Sequence, residues 1–376
     1  MEFDLSKPQR LLQQSARELF ARECPAKRVR ELMATETAFH PELWNTVAEQ
    51  GWLGIHLDES AGGLGLGTVE LAVVAEEMGR ACYPGPFLGT LWAASLIAAA
   101  QPKSKHLELL ATGATKAAVA LVEPAGSWCP GQVELEATPA AGGGLKLSGR
   151  KSFVVDANVA DLLVCIARTR DGLALVTVDA KSKGVKVTPH AALDATRKLA
   201  DVDFENVAVS ADDVLAQGKA AREALDRSLD VATLVTAADM LGGMQWILED
   251  AVEYAKTRQQ FGKLIGSFQA VQHMCADMLL LTESSRSAIY YAAWAIDAEP
   301  AIAPRHVAIA KAYASDASRE VANRGVQVHG GIGFTWEHDL QMYYKRSKAS
   351  EVLFGDAGYQ RGRVAAMAFD QQPAAV

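Results

Sequence analysis

The chain has 376 residues, 49% of them hydrophobic and 22% charged, with a formal net charge of −8. A chain this long exceeds what one hydrophobic core usually supports, so several domains are expected. The acidic balance and the absence of a Lys/Arg-rich run exclude nucleic acid and an anionic membrane surface as expected partners. No stretch of about 18 uninterrupted apolar residues occurs, and Met1-Glu-Phe-Asp4 lacks the basic and then apolar pattern of a secretory leader. No membrane span and a cytoplasmic location are therefore expected. Cys24, Cys82, Cys129, Cys165 and Cys275 lie far apart, with no C-x-x-C pair and no cluster of histidines beside them. That spacing argues against a disulfide framework and against a zinc site, and no metal is expected.

From Leu5 to about Ala111 the apolar period is helical: Leu11, Leu12, Ala16, Leu19 and Phe20 recur at three and four, and Pro41-Glu-Leu43-Trp44 carries proline where a helix begins. Gly62-Gly-Leu-Gly65-Leu-Gly67 interrupts this before Thr68 opens another helix. Its spacing is not G-x-G-x-x-G and no strand precedes it, so it is a loop ahead of a capped helix. Near Lys116 the period changes to alternation, with β-rich runs at 117–122, 133–137, 145–148, 152–155, 162–167, 174–178 and 185–188. These predict a small antiparallel β domain, in which Gly142-Gly-Gly144 is a hairpin connection. After Val209-Ser-Ala-Asp-Asp213 long amphipathic helices return, at 220–257, 268–298, 305–329 and 337–368, and suggest an antiparallel bundle. The domain boundaries are thus 1–115, 116–213 and 214–376, with a short biased tail at Gln371–Val376.

Two C-terminal segments carry chemistry. In Tyr254-Ala-Lys-Thr-Arg258-Gln-Gln-Phe261-Gly262, a guanidinium offers a fork of donors matched to phosphate oxygens, and a neighbouring ring can pack on a flat heterocycle. In Gln327-Val-His-Gly330-Gly331-Ile-Gly333-Phe334, the glycines let backbone amides approach an anionic or bulky ligand, and Gln327 both donates and accepts. Both segments closely resemble flavin-binding signatures of the acyl-CoA dehydrogenase family. The resemblance extends over nearly the whole chain, through Gly62–Gly67 ahead of Glu76-Glu-Met-Gly-Arg80, the helical-β-helical order and Val122-Glu123-Pro124.

The resemblance implies an α+β fold with an N-terminal helical domain, a middle antiparallel β-barrel domain and a C-terminal four-helix bundle. It implies FAD, with Arg258, Phe261, Gln327, Gly330 and Gly331 contacting its ADP half across a subunit boundary in a homo- or hetero-oligomer, a tetramer or dimer. It implies oxidation of an acyl-CoA thioester to its 2,3-enoyl-CoA, with electrons passed to an electron-transfer flavoprotein. The β domain departs from the family pattern. Where relatives carry flavin-contacting threonines, this chain has Val122-Glu-Pro-Ala-Gly-Ser127-Trp128 and Phe153-Val154-Val155. Both hydroxyls become valines; Ser127 remains a candidate donor to the ligand, and Phe153 either meets the flavin edge or fills the domain core.

Such a desaturation needs a carboxylate in a dry pocket to take the α-proton. Counting without a gap from Gly333-Phe334, the family's late glutamate falls on Phe354, and its earlier location aligns with Ala232. Asp239 is the candidate replacement: it lies seven residues beyond Ala232, and its helical neighbours Val235, Thr236, Gly242 and Gly243 offer no cation. Either a distant group satisfies that carboxylate or function retains it. Gly242-Gly243 would admit a ligand or another backbone. Glu351 and Asp356 flank Phe354 on other helical faces, and Glu337 and His338 read as a helix start. Two alternatives remain open from sequence: a non-catalytic or half-site subunit that completes a partner's FAD site, and a flavin oxidase or monooxygenase.

Overall fold

The computed structural model describes residues 4–370, so the tail at 371–376 lies outside the described residues. The chain folds into two compact units. One takes the chain up to Arg30, Thr68–Tyr83 and everything from Thr233; the other takes Glu31–Gly67 and Pro84–Ala232. Helices give way to strands at Ala117, and strands to a long helix at Gly218.

The second unit holds α3 (Pro41–Glu49), α5 (Phe87–Ala100), α6 (His106–Ala111) and an eight-stranded sheet. Helix α5 is apolar on every side and buried from Phe87 to Ile97, as a helix packed all round must be. The strands are β1 (Ala117–Ala120), β2 (Glu136–Pro139), β3 (Leu145–Val155), β4 (Leu162–Thr169), β5 (Gly172–Asp179), β6 (Val185–Pro189), β7 (Leu199–Val209) and β8 (Val214–Gln217). Their order is β6-β7-β3-β2-β4-β5-β8, with β1 beside β4. The sheet is mixed, where an antiparallel one was expected: β1 runs parallel to β4, and β2 meets β4 in parallel at Glu136 and Arg168. The reason is the long return from Ala120 to Leu162, which is ample for a same-direction crossover. Strand β7 was not anticipated, although its signal is present: Ala200, Val202 and Phe204 face the core and alternate with Asp201 and Asp203. The runs at 145–148 and 152–155 are one strand, whose pairing with β7 shifts register between Lys151 and Val154. At that irregularity Phe153 adopts φ +54° and turns outward, 44% exposed.

In the first unit lie α1 (Lys7–Glu23), most of α2 (Ala26–Met33), α4 (Thr68–Arg80), α8 (Gln269–Ala298), α9 (Ala303–His329), α10 (Leu340–Val352), α11 (Ala357–Asp370) and, from Thr233, the 40-residue α7 (Gly218–Thr257). By length and apolar composition α7 could cross a membrane, but 83% of its apolar window is buried inside the protein, as in a core helix. Charges on α4 are matched on arrival: Glu76 accepts from Tyr290 at 2.7 Å and pairs with Arg286, while Glu77 takes both arms of Arg17 at 2.7 and 3.0 Å. The predicted helix at 337–368 is broken in two. Phe354 (φ +57°) and Gly355 (φ +89°) turn the chain, and Asp356 restarts it by accepting the Tyr359 amide at 2.8 Å.

Candidate functional site

Helix α7 ends beside Arg258, whose amide still donates to Tyr254 at 2.9 Å and whose carbonyl accepts from Ile265 at 2.9 Å. Between them a two-residue hairpin pairs Gln259–Gln260 with Lys263–Leu264. Its turn residues, Phe261 (φ +54°) and Gly262 (φ +77°), both lie in the left-handed region that a type I′ turn needs. The turn holds the Phe261 ring out, 91% exposed and edge-on to Phe268 at 6.2 Å. Arg258 is exposed, and among the described residues no carboxylate pairs with its guanidinium. An uncovered aromatic and an unpaired fork of donors therefore stand at the same helix end.

Helix α9 delivers the second segment. Gln327 is exposed on its last turn, and the helix stops at Gly330, with φ +65°. A Cβ added at Gly330 or Gly331 would meet nothing within 4 Å. Gly331 does not have a positive φ, so packing within this chain does not call for glycine there; a ligand or another chain close to the backbone would. Tyr254 of α7 stacks on His329 of α9 at 4.5 Å and 28°, so one contact ties together the ends that carry Arg258 and Gln327. These groups suit a dinucleotide: a cationic fork for pyrophosphate, a glycine shelf open to an approaching group, and a free amide.

Ser127 belongs to the other unit. Its hydroxyl accepts the Cys129 amide at 3.1 Å, a local turn that holds the side chain half-buried. Val122 and Val155, which stand in for the threonines, are buried at 4% and 3% exposure, whereas Phe153 stacks on His190 at 5.4 Å outside the core. The Val122-Glu123-Pro124 segment is anchored by Lys151, buried and donating to Leu121 O at 3.0 Å and Glu123 at 2.6 Å. Burial would raise the Glu123 carboxyl, but Lys151 and the Leu135 and Glu134 amides outweigh it and hold it below the usual range. The sequence signal for this pair is slight, since a lysine within a strand ordinarily points to water.

Asp239 is not an unpaired carboxylate. Arg346 of α10 reaches it with both arms, Nη2 to Oδ1 at 2.6 Å and Nε to Oδ2 at 3.1 Å, and spends a further donor on Tyr83 O at 3.0 Å. Both side chains are buried, and the space beside them amounts to about 10 Å³, room for one water and no acyl chain. The neighbouring glycine serves a backbone rather than a ligand: a Cβ on Gly242 would lie 1.8 Å from Glu76 O of α4. The expectation of a catalytic base at Asp239 rested on a missing cation, and a helix distant in sequence supplies it. The other carboxylates near Phe354 are also committed. Glu351 pairs with Arg319, and Asp356 caps α11. Phe354 and Ala232 are themselves buried at 2% and 0% exposure.

Residues 6–114 match the family model for the acyl-CoA dehydrogenase N-terminal domain, and residues 222–369 match that for its C-terminal domain. The chain belongs to the acyl-CoA dehydrogenase family. It is 31% identical to the acyl-CoA dehydrogenase IpdE2 of Mycolicibacterium smegmatis over 97% of this chain and 100% of the relative. Among solved structures it is similar to the Tcur3481-Tcur3483 steroid ACAD (TM-score 0.87, 30% identity, 97% of this chain and 98% of that one). It is also similar to the ChsE4-ChsE5 complex of Mycobacterium tuberculosis (TM-score 0.89, 28% identity, 100% of both chains). Acyl-CoA dehydrogenases are oxidoreductases acting on CH–CH groups, and this chain is one by family.

At the turn that begins with Phe354, a lysine not singled out from sequence fixes the backbone. Lys311 Nζ, fully buried, donates to Ser315 Oγ at 2.9 Å, Glu351 O at 3.0 Å and Gly355 O at 3.2 Å, and Gln360 donates to Phe354 O at 2.6 Å. Burial pushes the Lys311 ammonium down to about 7, against the opposing pull of Glu351 and Asp356. Between that value and the unfolded pKa of about 10.4, the unfolded chain binds a proton that the native chain does not. Stability is therefore expected to rise with pH from about 7 towards 10, and Lys311→Met to flatten that slope. Urea midpoints of both proteins at several pH values check this; identical slopes would contradict it.

Proposed function

We propose that this chain is the base-lacking, FAD-binding subunit of a heteromeric acyl-CoA dehydrogenase, and that its partner chain supplies the catalytic carboxylate. One observation carries this: every carboxylate weighed beside the two usual base positions is committed to a cation or a helix cap, while Arg258, Phe261, Gln327 and the glycine shelf stand uncommitted. Likeness to the Tcur3481-Tcur3483 steroid ACAD and to the ChsE4-ChsE5 complex supports an assembly of two different chains.

Arg258 would grip the pyrophosphate, Gly330 and Gly331 would admit it to the backbone, and Gln327 would fix an adjoining polar edge. Phe261, held outward by its turn, would cover a flat face. In the second unit, the anchored Val122–Pro124 segment would offer backbone groups and Ser127 a hydroxyl. Bound FAD supplies the acceptor for the hydride that leaves the β-carbon of the thioester as the partner's base removes the α-proton. Electrons would then pass to an electron-transfer flavoprotein. A ring-bearing acyl-CoA thioester is the first substrate class to screen, because one two-chain relative is described as a steroid enzyme.

Arg258→Ala is expected to weaken FAD binding about 10- to 100-fold, the worth of a charge-assisted bidentate contact, without lowering the unfolding temperature of the flavin-free protein. Flavin absorbance per chain after gel filtration checks it. Undiminished flavin would place the clamp elsewhere.

A further inference from the structure

Beneath the glycine shelf, Asp250 of α7 faces two histidines, His329 at the end of α9 and His338 just ahead of α10. His329 is 4% exposed, and its Nδ1 lies 2.8 Å from Gly325 O. A carbonyl only accepts, so Nδ1 carries a proton, and in the neutral ring Nε2 then presents a bare lone pair. That lone pair points at Asp250 Oδ2, 3.1 Å away, and both atoms are buried without a hydrogen-bond partner. Two buried acceptors in contact repel unless something positive, a proton on Nε2 or a metal ion, lies between them. His338 Nε2 lies 3.9 Å from the same carboxylate oxygen, and one ligand atom from each of the three residues falls within 4.8 Å of the others.

We propose that Asp250, His329 and His338 form a binding site for one divalent transition-metal ion of the zinc type. Two imidazoles and a carboxylate are its ordinary ligands, with water completing a four-coordinate shell. An ion among the three atoms sits roughly 2.5 Å from each, a few tenths of an ångström outside bonds of about 2.0–2.2 Å, a gap small side-chain rotations close. Second contacts already orient the ligands: the Gly325 carbonyl fixes the His329 tautomer, and Tyr254 and His338 pack on its ring at 4.5 and 4.6 Å. Ligation through His338 Nε2 moves its proton to Nδ1 and gives up the 3.2 Å contact from the Leu340 amide, one long cap exchanged for coordinate bonds. The sequence offered no spacing motif, because the three ligands come from different elements. The ion would tie the end of α7 to the end of α9, one residue before Gly330.

The test uses the full, tag-free chain stripped with a chelator and titrated with Co(II). The expected result is one cobalt per chain by elemental analysis and a four-coordinate visible band at wavelengths longer than flavin absorption. Zinc should abolish the band. His338→Gln and Asp250→Asn, both at partly exposed positions, should each weaken binding at least tenfold while the circular dichroism stays unchanged. No band, or a band that survives in both variants, would overturn the site whether or not the chain binds FAD.

Discussion

Asp239→Leu is expected to lower the unfolding free energy by about 3–5 kcal/mol, because it leaves the buried Arg346 guanidinium without its counter-charge. The double variant Asp239→Leu with Arg346→Met is expected to recover most of that loss, since an apolar pair of similar volume replaces the ion pair. Urea unfolding of the single and double variants measures this directly. The same proteins separate stability from chemistry. Mixed with its partner, the double variant is expected to retain turnover; a refolded, stable double variant that binds FAD and has lost turnover would make Asp239 the base after all.

Gly242→Ala is expected to cost at least about 3 kcal/mol or to prevent folding, the upper range for overpacking. Its new Cβ would lie 1.8 Å from Glu76 O and 2.5 Å from the Arg80 amide, backbone atoms of α4 that cannot rotate away. The adjacent Gly243 makes the control. A Cβ there meets only the Tyr343 ring at 3.9 Å, so Gly243→Ala is expected to stabilise the helix by about 0.5–1 kcal/mol through propensity alone. Neighbouring glycines with effects of opposite sign would confirm that α4 and α7 cross on Gly242; equal effects would refute it.

The elements legible in the sequence were those whose local pattern decides them. The apolar periods of α7, α8 and α9 and the near-continuous apolar runs of β4 and β5 placed those elements to within a few residues. The two C-terminal segments stood out in the sequence because they resemble flavin-binding signatures of the family, and the structure places both at exposed helix ends. What could not be read was pairing at long range. Helical neighbours of Asp239 gave no cation because Arg346 arrives from α10, and Lys311 gave no sign of burial because the backbone turn at Phe354 receives its donors. The break at Gly355-Asp356 was readable, a glycine followed by a capping residue, and was overridden by the apolar period on either side. The parallel placement of β1 beside β4 depends on topology that alternation alone does not encode.

The most direct test of the base-lacking assignment is acyl-CoA turnover with an artificial electron acceptor, measured on this chain reconstituted alone with FAD and again after co-expression with family members encoded beside it. The expected result is no turnover by the lone chain at any pH, turnover by the yellow two-chain assembly, and loss of that turnover when Arg258→Ala is made in this chain. Oxidation of an acyl-CoA thioester by the lone polypeptide would contradict it.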